Sequence, residues 1–298
     1  MIQAENNNTA TSFDDKWHRN PNLALEQTLD EASDISKWIV GRNGFENLDA
    51  FATHLKNKKR ILDGGCGNGR VTALLRKITD PETTEIVGID LVAADVAQAN
   101  LGDAANVRFE QADLLGDLSG LGLFDFIYSQ EVLHHTSDPK RAFLNLISLL
   151  EPGGELAIYV YKKKAPMREY ADDLIREKIS GLPYEEAMEA CKQITELGKV
   201  LADVEGEIEI PEVNLLDIPA GTYTYQRFIY HFFMKCFWND QLSFDDNAVI
   251  NYDWYHPQNC SRHTAEEIRE WFDDAGLRID QFHEDFYGIT ARGICRSN

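Results

Sequence analysis

The chain has 298 residues, 43% of them hydrophobic, and a formal net charge of −21. That length accommodates one large domain or two small ones and is enough to bury a sizeable core. The acidic excess repels phosphate backbones and anionic lipid headgroups, which argues against a nucleic-acid enzyme or a membrane partner, and no apolar run reaches membrane-spanning length.

Residues 1–12 are polar and rich in Asn and Thr, and are expected to be disordered. Residues 13–55 form an N-terminal segment with scattered aromatics. Its Phe13 and Trp17 are one helical turn apart and can share a face. Such a pair either folds over a ligand as a lid or simply packs the segment onto the core. The chain then alternates strand and helix: strand 60–64, helix 69–79, strand 85–90, helix 92–101, strands 106–110 and 124–129, helix 139–151, and strand 154–161. Pro139 sits at a helix start, where a missing N–H costs little, and Pro152-Gly153-Gly154 follows the end of the same helix. The alternation predicts a doubly wound, mostly parallel sheet with helices on both faces.

The most informative segment is Ile61-Leu62-Asp63-Gly64-Gly65-Cys66-Gly67-Asn68-Gly69-Arg70. A short apolar strand runs into alternate glycines and then a helix start. Backbone without Cβ atoms turns sharply and lets a ligand approach closely, and the helix start offers N–H groups and a positive dipole end. The spacing is G-x-G-x-G, not the G-x-G-x-x-G of dinucleotide binders. About one helix and a turn later, Ile86-Val87-Gly88-Ile89-Asp90 ends a second strand on a carboxylate able to accept bonds from both ribose hydroxyls. Val107 to Leu114, Phe124 to His135 and Leu149 to Leu156 complete five landmarks in order.

These motifs, over about residues 60–162, resemble the class I S-adenosylmethionine-dependent methyltransferases of the small-molecule type. The resemblance implies a seven-stranded sheet and S-adenosylmethionine as cofactor, with S-adenosylhomocysteine as product. It implies cofactor contacts from Asp63, Gly64, Gly65, Cys66, Gly67 and Gly69. Asp90, with Leu91 beside it, takes the ribose, and Asp113, between Ala112 and Leu114, takes the adenine amine. Ser129 and Gln130 leave the fourth strand toward the cofactor, and Phe13 and Trp17 are the lid candidates.

The family core resumes late. Thr264-Ala265-Glu266-Glu267 is a capping box, followed at helical spacing by Ile268, Trp271, Phe272 and Ala275. Gly276 ends that helix, and residues 277–285 and 288–296 read as a hairpin. The core is therefore 56–162 plus 263–298, with 163–262 an insertion too long for a structureless loop. It contains apparent helices near 166–180 and 183–201, and an aromatic one through Phe228, Phe232 and Phe237. The insertion is either a helical cap over the strand ends, forming a substrate pocket, or a homodimer surface.

In-line methyl transfer demands positioning above all, and a base only where the nucleophile keeps its proton. His134 and His135, at the end of strand four, are candidate bases or fixed loop anchors. The cluster from Asn251 to Pro257, then Arg262-His263, contributes Tyr255 and His263 as further candidates; it lines a pocket or forms a buried polar network. No metal-ligand spacing is present. Five scattered cysteines without a C-x-x-C predict free thiols in a reducing compartment, and a cytoplasmic protein is expected. The acceptor expected is a small metabolite methylated at oxygen or nitrogen; the alternatives are tRNA or protein as acceptor, or a binder without turnover.

Overall fold

The computed structural model describes residues 2–295. Four helices come first: α1 (Ile2–Arg19), α2 (Leu25–Leu29), α3 (Asp34–Arg42) and α4 (Leu48–Leu55). The alternating core follows as β1 (Arg60–Gly64), α5 (Arg70–Lys77), β2 (Glu85–Asp90), α6 (Ala94–Leu101), β3 (Val107–Gln111), β4 (Phe124–Gln130), α7 (Pro139–Ile147) and β5 (Leu150–Tyr161). The insertion holds α8 (Pro166–Ile179), α9 (Tyr184–Ala202), β6 (Glu207–Ile210), β7 (Gly221–Thr224), α10 (Tyr225–Phe232) and α11 (Phe244–Tyr255). The chain closes with α12 (Ala265–Asp274), β8 (Leu277–Glu284) and β9 (Gly288–Cys295).

Two compact units result. One comprises 17–162 and 261–298, the other 1–16 and 163–260. In the first, seven strands form one sheet in the order β3-β2-β1-β4-β5-β9-β8. All neighbours are parallel except β9, which runs antiparallel to both β5 and β8. This is the class I methyltransferase topology. Period-two side-chain alternation divides the sheet's apolar residues between its faces. Leu62, Ile127 and Leu156 pack with Phe143, Leu146 and Phe272 of α7 and α12. Ile61, Phe126 and Ala157 pack with Ile39, Phe51 and Leu74 of α3, α4 and α5. The strand order reverses beside β1, so the carboxyl ends of β1 and β4 diverge there and open a crevice in which open α/β sheets bind ligands.

The second unit is helical, with the small β6–β7 hairpin. Its N-terminal piece includes Thr9, Ser12 and Lys16, which residues 253–259 hold in place. Ser12 Oγ lies 2.7 Å from His256 Nδ1, Thr9 Oγ1 accepts from Asn259 N–H, and Lys16 Nζ pairs with Asp253 at 2.7 Å. These partners are more than 230 residues away in sequence, so local composition carried no sign of them. No helix among the described residues is long and apolar enough to cross a membrane.

Candidate cofactor site

The glycine loop joins β1 to α5 in the first unit. Gly65, Gly67 and Gly69 have φ of 87°, 52° and 85°, the left-handed region that side chains rarely adopt. Space enforces glycine as well: a Cβ on Gly65 would stand 2.4 Å from the Val132 methyls, and one on Gly67 2.8 Å from the Trp17 indole. Trp17 thus lies directly over the loop. Asn68 Nδ2 donates to the carbonyls of Pro21 and Leu23, tying down the segment that follows Trp17.

The loop's own N–H groups are largely spent. Gly65 and Cys66 both donate to Ile89 O, Gly69 donates to Cys66 O, and Gly67 donates to Asp90 Oδ2 at 2.9 Å. Asp90 Oδ1 accepts from Val92 and Ala93 at the start of α6. The carboxylate therefore orients both loops and, of its four lone-pair sites, keeps about one for a ligand. Asp113 is exposed, with one carboxylate oxygen accepting from Leu115 N–H. Leu91 stands 42% exposed beside Asp90, while Ala112 is half-buried and Leu114 buried.

Asp63 is buried, and Thr72 Oγ1 donates to it at 2.6 Å. Burial, reinforced by the Asp90 charge and opposed by Thr72 and Arg70, raises its pKa to about 7. Because the folded pKa exceeds the unfolded one, the folded chain holds this proton more tightly, and stability should fall as pH rises from about 4 to about 7. Asp63→Asn keeps the acceptor for Thr72 and removes the charge. The variant should gain roughly 1–3 kcal/mol over wild type above pH 7 and nothing below pH 4, by denaturant midpoints across that range. A constant difference at every pH would show that Asp63 does not titrate there. The neighbouring Cys66 is buried, and burial with the Asp90 and Asp63 charges pushes its thiol up, leaving it protonated.

At the end of β4, Ser129 Oγ donates to Gly64 O, locking β4 to the loop. Gln130 Oε1 accepts from Tyr128 Oη at 2.6 Å, and Tyr128 accepts from Asn43. Glu131 follows with φ of 62°, a conformation strained for a non-glycine residue, and pairs with Arg70 at 2.8 Å. Arg42 stacks between Trp38 and Tyr159, 4.2 Å from each ring centre, and donates to Asp285. Neither Arg42 nor Asn68 carried a sequence signal, because their partners come from remote segments.

The four candidate bases are not open to a ligand. His134 is fully buried, its ring centre 3.7 Å from that of Tyr161, and its carbonyl accepts from Ser261 N–H. His135 is 8% exposed and packs edge-on to Tyr161. His263 has Glu267 at 2.9 Å from Nδ1 and Ser261 Oγ at 2.9 Å from Nε2, so both nitrogens are engaged. Tyr255 lies in the other unit, fully buried, its hydroxyl between Asp172 and the Lys235 carbonyl. The cluster at 251–257 is thus a buried polar network, not an open pocket wall. Phe13 also falls in the second unit, with Lys16 Nζ 5.4 Å from its ring centre. Among the described residues no group of three or more His, Cys, Asp or Glu could hold a metal ion.

The family model described as "Methyltransferase domain" matches residues 39–203, more than half the chain. The chain belongs to the class I S-adenosylmethionine-dependent methyltransferases. This methyltransferase domain is 40% identical over 101 residues to trans-aconitate 2-methyltransferase of Deinococcus radiodurans, covering 34% of this chain and 37% of that protein. It is 30% identical over 139 residues to phosphoethanolamine N-methyltransferase 1 of Triticum aestivum, covering 44% and 27%. The matches span between about a quarter and a half of the length of the curated relatives. Among solved structures, an S-adenosylmethionine-dependent methyltransferase of Mesorhizobium loti aligns with a TM-score of 0.46 at 16% identity, over 83% of this chain and 95% of that one. The cofactor's requirements fit the residues present: left-handed glycines allowing close approach, and two carboxylates with acceptor capacity left at the ends of neighbouring strands.

Proposed function

We propose that the protein transfers a methyl group from S-adenosylmethionine to an oxygen or nitrogen of a small metabolite, by in-line displacement. What carries this reading is the way the glycine loop spends its N–H groups. A pyrophosphate needs those donors free, whereas an adenosyl sulfonium carries no phosphate and needs surface without Cβ atoms, flanked by carboxylates. When bound, the cofactor supplies an electrophilic methyl group on a positively charged sulfur.

The chain's own residues would then do the holding. Asp90 accepts from ribose hydroxyls, and Asp113 from the adenine amine. Leu91, Ala112 and Leu114 offer apolar surface to the ring. Glu131, beside Arg70, adds a carboxylate next to the loop, and buried Asp63 braces the loop through Thr72. Trp17 covers Gly67 and excludes water, and is the lid aromatic we assign; Phe13 is given no cofactor contact. Since His134, His135, Tyr255 and His263 are all buried or fully engaged, the acceptor we expect is one whose lone pair is available at neutral pH without a base. A carboxylate oxygen or an unprotonated amine qualifies, and positioning then supplies most of the acceleration. The named acceptors of the two relatives are small molecules, which supports the same class.

The test is incubation with methyl-labelled S-adenosylmethionine and a fractionated cell extract, read by mass spectrometry. Label should appear in a small metabolite. Label confined to tRNA or protein would overturn the acceptor class, and cofactor binding by calorimetry without label in any fraction would make the protein a binder.

A further inference from the structure

In a chain of net charge −21, the helical unit gathers buried cations around one ring. The Trp254 indole has Lys164, Arg168, Arg176 and Lys235 around it, at 5.7, 5.2, 5.7 and 4.9 Å from its ring centre. Their exposures are 9%, 1%, 7% and 5%. The anions within the cluster are already used. Asp172 Oδ2 accepts from Arg168 Nε and Trp254 Nε1, its Oδ1 accepts from the Lys235 backbone N–H, and the single Tyr255 hydroxyl proton lies between Asp172 Oδ1 and the Lys235 carbonyl. Both lone pairs of Oδ2 are filled, and Oδ1 is held by the amide and the shared hydroxyl. Asp253 pairs with Lys16, and Arg176 with Asp173.

Lys235 is the group left over. Among the described residues its ammonium has no hydrogen bond and no ion pair within 4.0 Å. A buried ammonium is costly unless an anion faces it, and attraction to the face of Trp254 recovers only part of that cost. Burial, with the charge of Arg168, lowers its pKa to about 8 against the opposing pull of Asp253, Asp172 and Cys260. The residue is nevertheless held firmly: its N–H is fixed by Asp172, and its carbonyl by the Tyr255 hydroxyl at 2.7 Å. A rigid root and a desolvated charge without a bonded anion are what an anion-binding residue requires.

We propose that Lys235, with Lys164 and Arg168 beside it on Trp254, binds a small oxyanion, a carboxylate or phosphoryl group, within the helical unit.

Inorganic phosphate and succinate are titrated separately into the full chain at constant ionic strength, by calorimetry, with Lys235→Met and Lys235→Arg in parallel. At least one anion should bind wild type tenfold or more tightly than Lys235→Met, with Lys235→Arg retaining most of the affinity. Phosphate alone would assign a phosphoryl group, and succinate alone a carboxylate. Equal affinity in wild type and Lys235→Met, or no binding of either anion to wild type, overturns the proposal. Should Lys235→Met not fold, the ε-carbon resonance of Lys235 in wild type decides: it should move with the anion and not with chloride, and an unmoved resonance rejects the site. S-adenosylmethionine binding is measured on the same samples. Its loss in wild type would defeat the methyltransferase reading and leave the anion result standing.

Discussion

Asp90→Ala should raise the Kd for S-adenosylmethionine by more than tenfold. A carboxylate hydrogen-bonded to ribose hydroxyls contributes about 1.5–3 kcal/mol. The same side chain also accepts from Gly67, Val92 and Ala93 N–H groups, so its loss loosens the loop that receives the cofactor. Calorimetry gives the affinity, and the unliganded melting temperature separates the two contributions. Unchanged affinity in a folded variant would remove Asp90 from the ribose. A large fall in melting temperature with modest loss of affinity would make it chiefly a loop brace.

Gly65→Val should be the most damaging single change in the glycine loop. Its φ of 87° is strained for any side chain and worse for a β-branched one, and its Cβ would sit 2.4 Å from the Val132 methyls. Left-handed backbone costs about 1–2 kcal/mol, and overpacking about 1–3 kcal/mol more. Together these should lower the melting temperature by roughly 5–15 °C. Gly65→Ala combined with Val132→Ala relieves part of the clash but none of the backbone strain, and should recover only part of the loss. Full recovery would mean that sterics alone require glycine; an unchanged melting temperature in Gly65→Val would mean that the loop readily reshapes.

The sheet was readable because its strands are apolar runs of ordinary length, bounded by turns. Ile86 to Asp90 and Phe124 to Ser129 fall where expected, and the βα unit fixes the offset from the glycine loop to the strand ends that carry Asp90 and Asp113. What the sequence hid depends on distant partners. The second half of α1 is held through Ser12 and Lys16 by His256 and Asp253. The aromatic helix expected to run to Phe237 stops at Phe232, where the chain turns so that Asp172 can take the Lys235 N–H. Residues 244–255 form a helix although Asn and Asp abound there. Asn247 and Asn251 are fully buried and spend their amides on the Asn239 and Phe237 carbonyls, a use that composition does not reveal. The histidines were visible as chemistry, but burial decides whether they can act, and no spacing encodes burial.

The interleaving of the two units sets a schedule for biosynthesis. The helical unit needs residues 1–16 to meet 163–260, and β9, near the end of the chain, must enter between β5 and β8. The helical unit needs nothing beyond residue 260, whereas the sheet of the other unit cannot close before β9 has been made. The sheet should therefore acquire protease resistance after the helical unit, with the unpaired edge of β5 in need of protection until β9 arrives.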